Sequence, residues 1–168
     1  GKGQVLVFGA SGGFKKGTKT YVARSQDLLI DVRSGTVGTV GSMLFRRKNA
    51  AVARMKDGRI LVAGGQDAEV LRPAASGVRL ASTAPVRKVE IFDPRTRRWS
   101  EVAPLSTARY NANAALLGDG RVMVFGGDGG TARPLDSVEI YDPKRNRWTA
   151  GPTLNVSRIR GVSVPLPM

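Results

Sequence analysis

The sequence predicts an all-β chain built from repeated four-stranded antiparallel units, and three observations carry that expectation. The nine residues from Asp57 to Gly65 (DGRILVAGG) return 62 positions later, from Asp119 to Gly127 (DGRVMVFGG). The run from Val89 to Trp99 (VEIFDPRTRRW) returns from Val138 to Trp148 (VEIYDPKRNRW). Between these, the apolar runs are short and rich in Val, Ile and Leu, and Gly is abundant, which suits strands and turns better than helices.

The middle unit shows the order of elements. Four strand-like runs, 49–55, 59–63, 88–92 and 99–102, are separated by Lys-Asp-Gly, by a loop led by Gly64-Gly65, and by Asp93-Pro94. Asp-Gly favours a tight hairpin because Gly accepts positive φ without steric cost. Asp-Pro fixes the backbone and removes a donor where a strand should stop. The start of the chain reads as a worn copy, with KGQVLVFGA (Lys2 to Ala10) for the Gly-Gly strand and LLIDVRSGTV (Leu28 to Val37) for the aspartate turn. Asp31 to Asp57 is 26 residues and Asp93 to Asp119 is 26 again, so the length variation falls between the Gly-Gly strand and the aspartate turn. A fixed frame with one variable loop is a structural repeat. Four antiparallel strands per unit of about 50 residues point to a propeller blade.

The chain resembles the kelch repeat in its bacterial form, close to the central propeller of galactose oxidase. Gly64-Gly65 and Gly126-Gly127, Phe92 and Tyr141, and Trp99 and Trp148 carry the resemblance. It is strongest over 57–158; the first unit has Gly9-Ala10 for the doublet and Val37 for the Trp, and Asn111, Ala112 and Asn113 stand where the family has its usual His. The resemblance implies strands a to d running from innermost to outermost. On that frame, blade one takes strands b–d from 4–40 and strand a from 158–164, blade two spans 48–103, and blade three spans 109–150. Bacterial relatives of this kind are often exported, which tilts the expected compartment outside the cytoplasm.

Composition limits the chemistry. All 168 residues contain no Cys and no His. That excludes a thiolate nucleophile, an imidazole base, a disulfide and a Cys/His metal site. The copper and Tyr–Cys cross-link that the resemblance would bring therefore do not carry over, and the sequence reads as non-catalytic, with no cofactor and no metal. No stretch approaches the length of a membrane span. Trp99 and Trp148, fixed in the repeat, read as packing between blades rather than a sugar platform. The glycine doublets read as structural, since no helix and no P-loop lysine follow them.

The formal charge of +14 predicts attraction to polyanions. In an up-and-down blade the b–c loops and the d–a connectors emerge on one face. Lys15, Lys16, Arg72, Arg79 and Arg133 lie in the former, and Arg46, Arg47, Arg109 and Arg158 in the latter. These nine are the candidate ligand-binding residues, although Arg47, Arg109 and Arg158 recur at one frame position and also read as braces between blades. The c–d turns, with Arg95, Arg97, Arg98, Lys144, Arg145 and Arg147, place further charge on the opposite face. The sequence thus predicts a recognition scaffold for an acidic protein segment or an anionic glycan. A purely structural propeller half without a ligand, and charge-driven nucleic-acid binding, are the alternatives. The basic loops hold only Phe14, Tyr21 and Phe45 near charges, which gives the last little support.

The strand inventory is b–c–d, then a–b–c–d twice, then a lone strand a. Three blades do not close a ring. Either two copies form a six-bladed ring, each lending strand a to the other's first blade, or the chain is part of a longer propeller.

Overall fold

The computed structural model describes residues 3–9, 13–14, 21–22, 27–67, 73–74, 77–78, 84–131, 133–161 and 163. Among these residues there are strands and turns and no helix. Three antiparallel sheets account for the repeat. Blade one pairs Gln4–Val7, Leu28–Asp31 and Thr36–Thr39. Blade two pairs, in sequence order, Ala51–Arg54, Ile60–Ala63, Val89–Asp93 and Arg98–Val102. Blade three does the same with Asn113–Leu116, Val122–Phe125, Val138–Asp142 and Arg147–Ala150. The sheets are thus b–c–d, a–b–c–d and a–b–c–d, as the repeat implies.

Period-two alternation makes blade two the centre of the chain, because both of its faces are covered. Val62, Phe92 and Trp99 point toward blade one and pack with Met43, Leu6 and Phe8. Leu61, Ala63, Val89 and Ile91 point the other way and join Val122, Val124 and Tyr141 of blade three. The Trp99 ring lies 5.4 Å from Phe8 and 5.1 Å from Phe92, and Tyr141 lies 5.1 Å from Trp148. Trp148 also donates its indole N–H to the Ala103 carbonyl at 2.7 Å, a bond from blade three back to blade two. Trp99 has no such partner: its buried Nε1 lies beside the Asp27 carboxylate without reaching hydrogen-bond geometry.

Each c–d turn begins with an aspartate that accepts N–H groups two or three residues on: Arg33 and Ser34 to Asp31, Arg95 to Asp93, and Lys144 and Arg145 to Asp142. Gly35, Arg97 and Asn146 take the left-handed conformation at one and the same place in these turns.

Within the range expected for the last strand a, 158–164, Ile159 and Arg160 form a bend and Arg158, Gly161 and Ser163 take no regular conformation, while residues 162 and 164 lie outside the described residues. The b–c loops carry small hairpins at Gly13–Phe14 with Tyr21–Val22 and at Pro73–Ala74 with Gly77–Val78. Lys15, Lys16, Arg72 and Arg79 lie outside the described residues.

Candidate interaction faces and the arginine clamps

The three frame arginines sit where one blade leads to the next. Arg47 donates to the Lys88 carbonyl at 2.6 Å and pairs with Glu90, and neither side chain is exposed. Arg109 donates to the carbonyls of Gly126 and Ser137 at 2.9 and 3.0 Å, to Ser137 Oγ at 3.0 Å and to Glu139 Oε1 at 2.9 Å. Its own carbonyl turns back to blade two and accepts the Gly65 N–H at 2.8 Å. Gly64 makes that approach feasible: its φ is +65°, and a Cβ there would lie 2.3 Å from the Arg109 oxygen. Arg109 therefore holds the preceding blade through its backbone and the following blade through its side chain, and Arg47 holds the following blade through its side chain.

The glutamates complete the device. Glu90 accepts the Leu44 N–H at 2.6 Å, while Glu139 accepts those of Ser106 and Thr107 at 2.7 and 3.1 Å. Burial pushes the Glu90 carboxyl up and the Arg47 and Arg109 guanidinium groups down. Against this, each partner's charge and the connector N–H groups favour the ionised pair. Arg47 and Arg109, both expected as ligand-binding candidates, are thus buried with their charges paired inside the protein, as the brace reading of the frame position also expects. Glu90 and Glu139 were missed in the sequence. The available signal was a Glu inside a strand whose residues are apolar on both faces, recurring in step with the arginines.

Arg158 repeats the backbone half of the arrangement. Its carbonyl accepts the Gly127 N–H at 2.7 Å, and its N–H donates to Leu135 at 3.3 Å, as that of Arg109 does to Val86 at 3.4 Å. Two residues on, Arg160 N–H donates to the Asn111 carbonyl at 3.0 Å, as Asn111 does to Asn49 at 2.8 Å. Asn49, Asn111 and Arg160 share a left-handed φ of 58, 52 and 53°. The Arg158 side chain is exposed.

Charge remains on both faces because the acids are tied up. Among the described side chains, Asp136 alone of the carboxylates lacks a hydrogen-bonded partner, whereas Lys48, Arg87, Arg133, Arg158 and Arg160 are exposed and in no ion pair. On the d–a and b–c face a cavity of about 260 Å³ is walled by Leu44, Phe45 and Val86, with Arg46 and Lys88 at its sides and the neutralised Arg47. The Lys88 ammonium stands 4.0 Å over the Phe45 ring, and Leu44 is 59% exposed. Exposed Arg133 lies farther along the same face, in the b–c loop whose Leu135 meets Arg158.

The opposite face holds a larger groove of about 540 Å³ between the turns of blades two and three. Its cations and carboxylates pair off within single turns: Arg59 with Asp57, Arg121 with Asp119 and Arg145 with Asp142, at 2.8, 2.7 and 2.8 Å. Lys56 and Lys144 complete its cationic lining.

The model of the Kelch motif matches residues 46–106 and 109–155. Kelch repeat and BTB domain-containing protein 12 of Danio rerio is 35% identical over 79 residues, 47% of this chain and 12% of the relative. An F-box/kelch-repeat protein of Arabidopsis thaliana is 32% identical over 112 residues, 66% of this chain and 23% of the relative. Spermatocyte protein spe-26 of Caenorhabditis elegans is 40% identical over 75 residues, 44% and 11% respectively. The chain thus spans less than a quarter of the length of these relatives. Among solved structures, a fungal alcohol oxidase of the AA5 family in complex with copper aligns with a TM-score of 0.56 at 22% identity, over 88% of this chain and 27% of that one. That likeness extends to the fold. Copper does not fit the residues present: the chain has no His or Cys, and among the described residues no three acidic groups converge.

Proposed function

The chain belongs to the kelch-motif family, and from that premise we propose that it is a non-catalytic recognition scaffold whose d–a and b–c face takes an acidic segment of a partner protein. Kelch repeats in general mediate protein–protein interactions, which supports the class of function. The cavity beside the first connector carries the reading further. Leu44, Phe45 and Val86 offer an apolar floor, while Arg46 and Lys88 stand at its sides. An apolar side chain of the partner fills such a floor while flanking carboxylates meet the cations. Lys88 also pairs with Glu101 at 2.8 Å at the surface, so an acidic segment meets that cation in exchange for an exposed ion pair.

The experiment is fluorescence anisotropy with a labelled Glu-rich peptide containing one Leu or Phe. A sulfated glycan and a single-stranded polynucleotide serve as comparators, each at low and physiological salt. The peptide should bind at physiological salt, and L44A and R46E should each weaken it about tenfold, in keeping with the loss of an interface anchor or charge. Equal binding of all three polyanions, abolished by salt, would reduce the interaction to charge alone. No binding at physiological salt would leave the purely structural role.

A further inference from the structure

The groove of about 540 Å³ between the turns of blades two and three is lined by five cationic side chains and three carboxylates, a surplus of two positive charges. Each carboxylate is fixed by its own turn. Asp57 accepts the Arg59 N–H and Asp119 the Arg121 N–H, both at 3.0 Å, and Asp142 accepts those of Lys144 and Arg145 at 2.9 and 3.2 Å. Each also holds one arginine side chain. A guanidinium has five N–H donors, and its aspartate engages only one or two of them here. The three arginines are thus set in place with donors to spare, so a ligand need not order them. Lys56 and Lys144 are exposed and in no ion pair among the described residues. The Lys56 Cδ lies 3.7 Å from where a Cβ on Gly120 would stand, so its stem crosses from the hairpin of blade two to that of blade three. The hairpin itself does not require it. Asp-Gly-Arg recurs in both blades with its ion pair, whereas Gly118 takes the place of Lys56 in the second copy.

We propose that this groove binds a small phosphate monoester, with the phosphoryl group between Lys56 and Lys144 and a sugar-sized organic part against Met55 and Pro143. A phosphoryl dianion carries about two negative charges at pH 7, which matches the surplus of the lining. A single carboxylate carries one and leaves half of that surplus unmet. The dianion accepts from the two ammonium groups and from guanidinium N–H groups that the aspartates leave open, so no existing ion pair has to break. The volume lies within the range of about 300–1,000 Å³ usual for small-molecule sites, and it exceeds what a phosphoryl group alone would fill. The groove shares no residue with the cavity at Leu44, Phe45 and Val86, so this proposal and the acidic-segment reading can fail separately.

The test is isothermal titration calorimetry of the whole chain at physiological salt with ribose 5-phosphate, ribose, inorganic phosphate and a phosphoserine peptide. Ribose 5-phosphate should bind, ribose should not, and inorganic phosphate should bind at least about tenfold more weakly than the ester, since it leaves part of the groove empty. K56A and K144A should each weaken ribose 5-phosphate about tenfold, as the loss of one charge-assisted hydrogen bond implies, and K56A/K144A should remove binding. R87A/R158A takes the same charge from the opposite face and should change nothing. No binding of ribose 5-phosphate, equal binding of ribose, or an equal loss in R87A/R158A would each overturn the proposal. Inorganic phosphate as tight as the ester, or a phosphoserine peptide tighter than it, would overturn the small-molecule assignment. Should an alanine variant lose the β-sheet circular dichroism of the parent, K56Q and K144Q keep the stem and remove the charge. They must then weaken ribose 5-phosphate to the same extent, and failure to do so overturns the proposal equally.

Discussion

Arg109 and Glu139 form an ion pair at 2.9 Å in which the arginine side chain is fully buried and the glutamate nearly so. The pair joins the connector between blades two and three to the third strand of blade three, and Glu139 also accepts the Ser106 and Thr107 N–H groups. Removing one partner leaves the other charge buried, which costs more than the intact pair contributes.

Arg109→Ala and Glu139→Leu should therefore each destabilise the chain by about 3–5 kcal/mol. The double variant should cost less than the sum of the two, because neither charge is then stranded. Urea denaturation of all four proteins gives the coupling directly. Simple additivity would mean that the two side chains do not act as a pair.

The two tryptophans should differ. Trp99 is 8% exposed and packs on Phe8 and Phe92, so Trp99→Ala should cost about 3–5 kcal/mol. Trp99→Phe keeps much of the packing and loses no hydrogen bond. Trp148 is half-buried, but its indole donates to Ala103, so Trp148→Phe should cost about 0.5–1.5 kcal/mol for that bond. Thermal melts of both Phe variants check the order. An equal loss for the two would show that the Ala103 bond contributes nothing.

Much of the blade was legible in the sequence because each strand end has a local chemical cause: Asp-Gly, Gly-Gly and Asp-Pro stop strands wherever they occur. The middle unit's strands, expected at 49–55, 59–63, 88–92 and 99–102, differ from the observed ones by a residue or two at their ends. The site was less legible. Arg47 and Arg158 occupy the same frame position, yet one is buried and the other exposed, and the difference depends on whether a blade with a carboxylate lies alongside. That is tertiary information, and no local pattern around either arginine reports it.

Acid should weaken the turns. The Ser34 N–H holds the Asp31 carboxyl below its ordinary value, the Arg121 N–H does so for Asp119, and the Arg145 guanidinium does so for Asp142. Each folded-state value lies below the unfolded one, so this stabilisation is complete above about pH 4 and is lost as pH falls through the folded values. Asp27 has the opposite sign, since burial raises it, and its contribution declines as pH rises from the unfolded value to the folded one. Urea midpoints between pH 2 and about 6 should fall on the acid side. D119N should flatten that fall, while D27N should flatten the slope on the neutral side. An unchanged acid limb in D119N, D31N and D142N together would remove the turns as its cause.

The long b–c loop of blade two should be dispensable. Gln66 bridges to Pro85 across its base and pairs with Lys48, while the Val86 N–H donates to the Gly65 carbonyl at 2.9 Å. These contacts close the blade before the loop begins. Joining Asp67 to Ala84 through a two-glycine linker therefore keeps every core contact among the described residues. It also shortens a closed loop, and loop entropy changes slowly with length, by about 0.6 kcal/mol for each doubling. The deletion variant should keep the β-sheet circular dichroism of the parent and melt within a few degrees of it. The same variant separates the roles of the loop's charges, because Arg72 and Arg79 leave with it while Arg46, Lys88 and Arg133 stay. Acidic-peptide binding retained after the deletion would place recognition at the connector cavity. Loss of the fold would instead show that the excised segment is part of blade two.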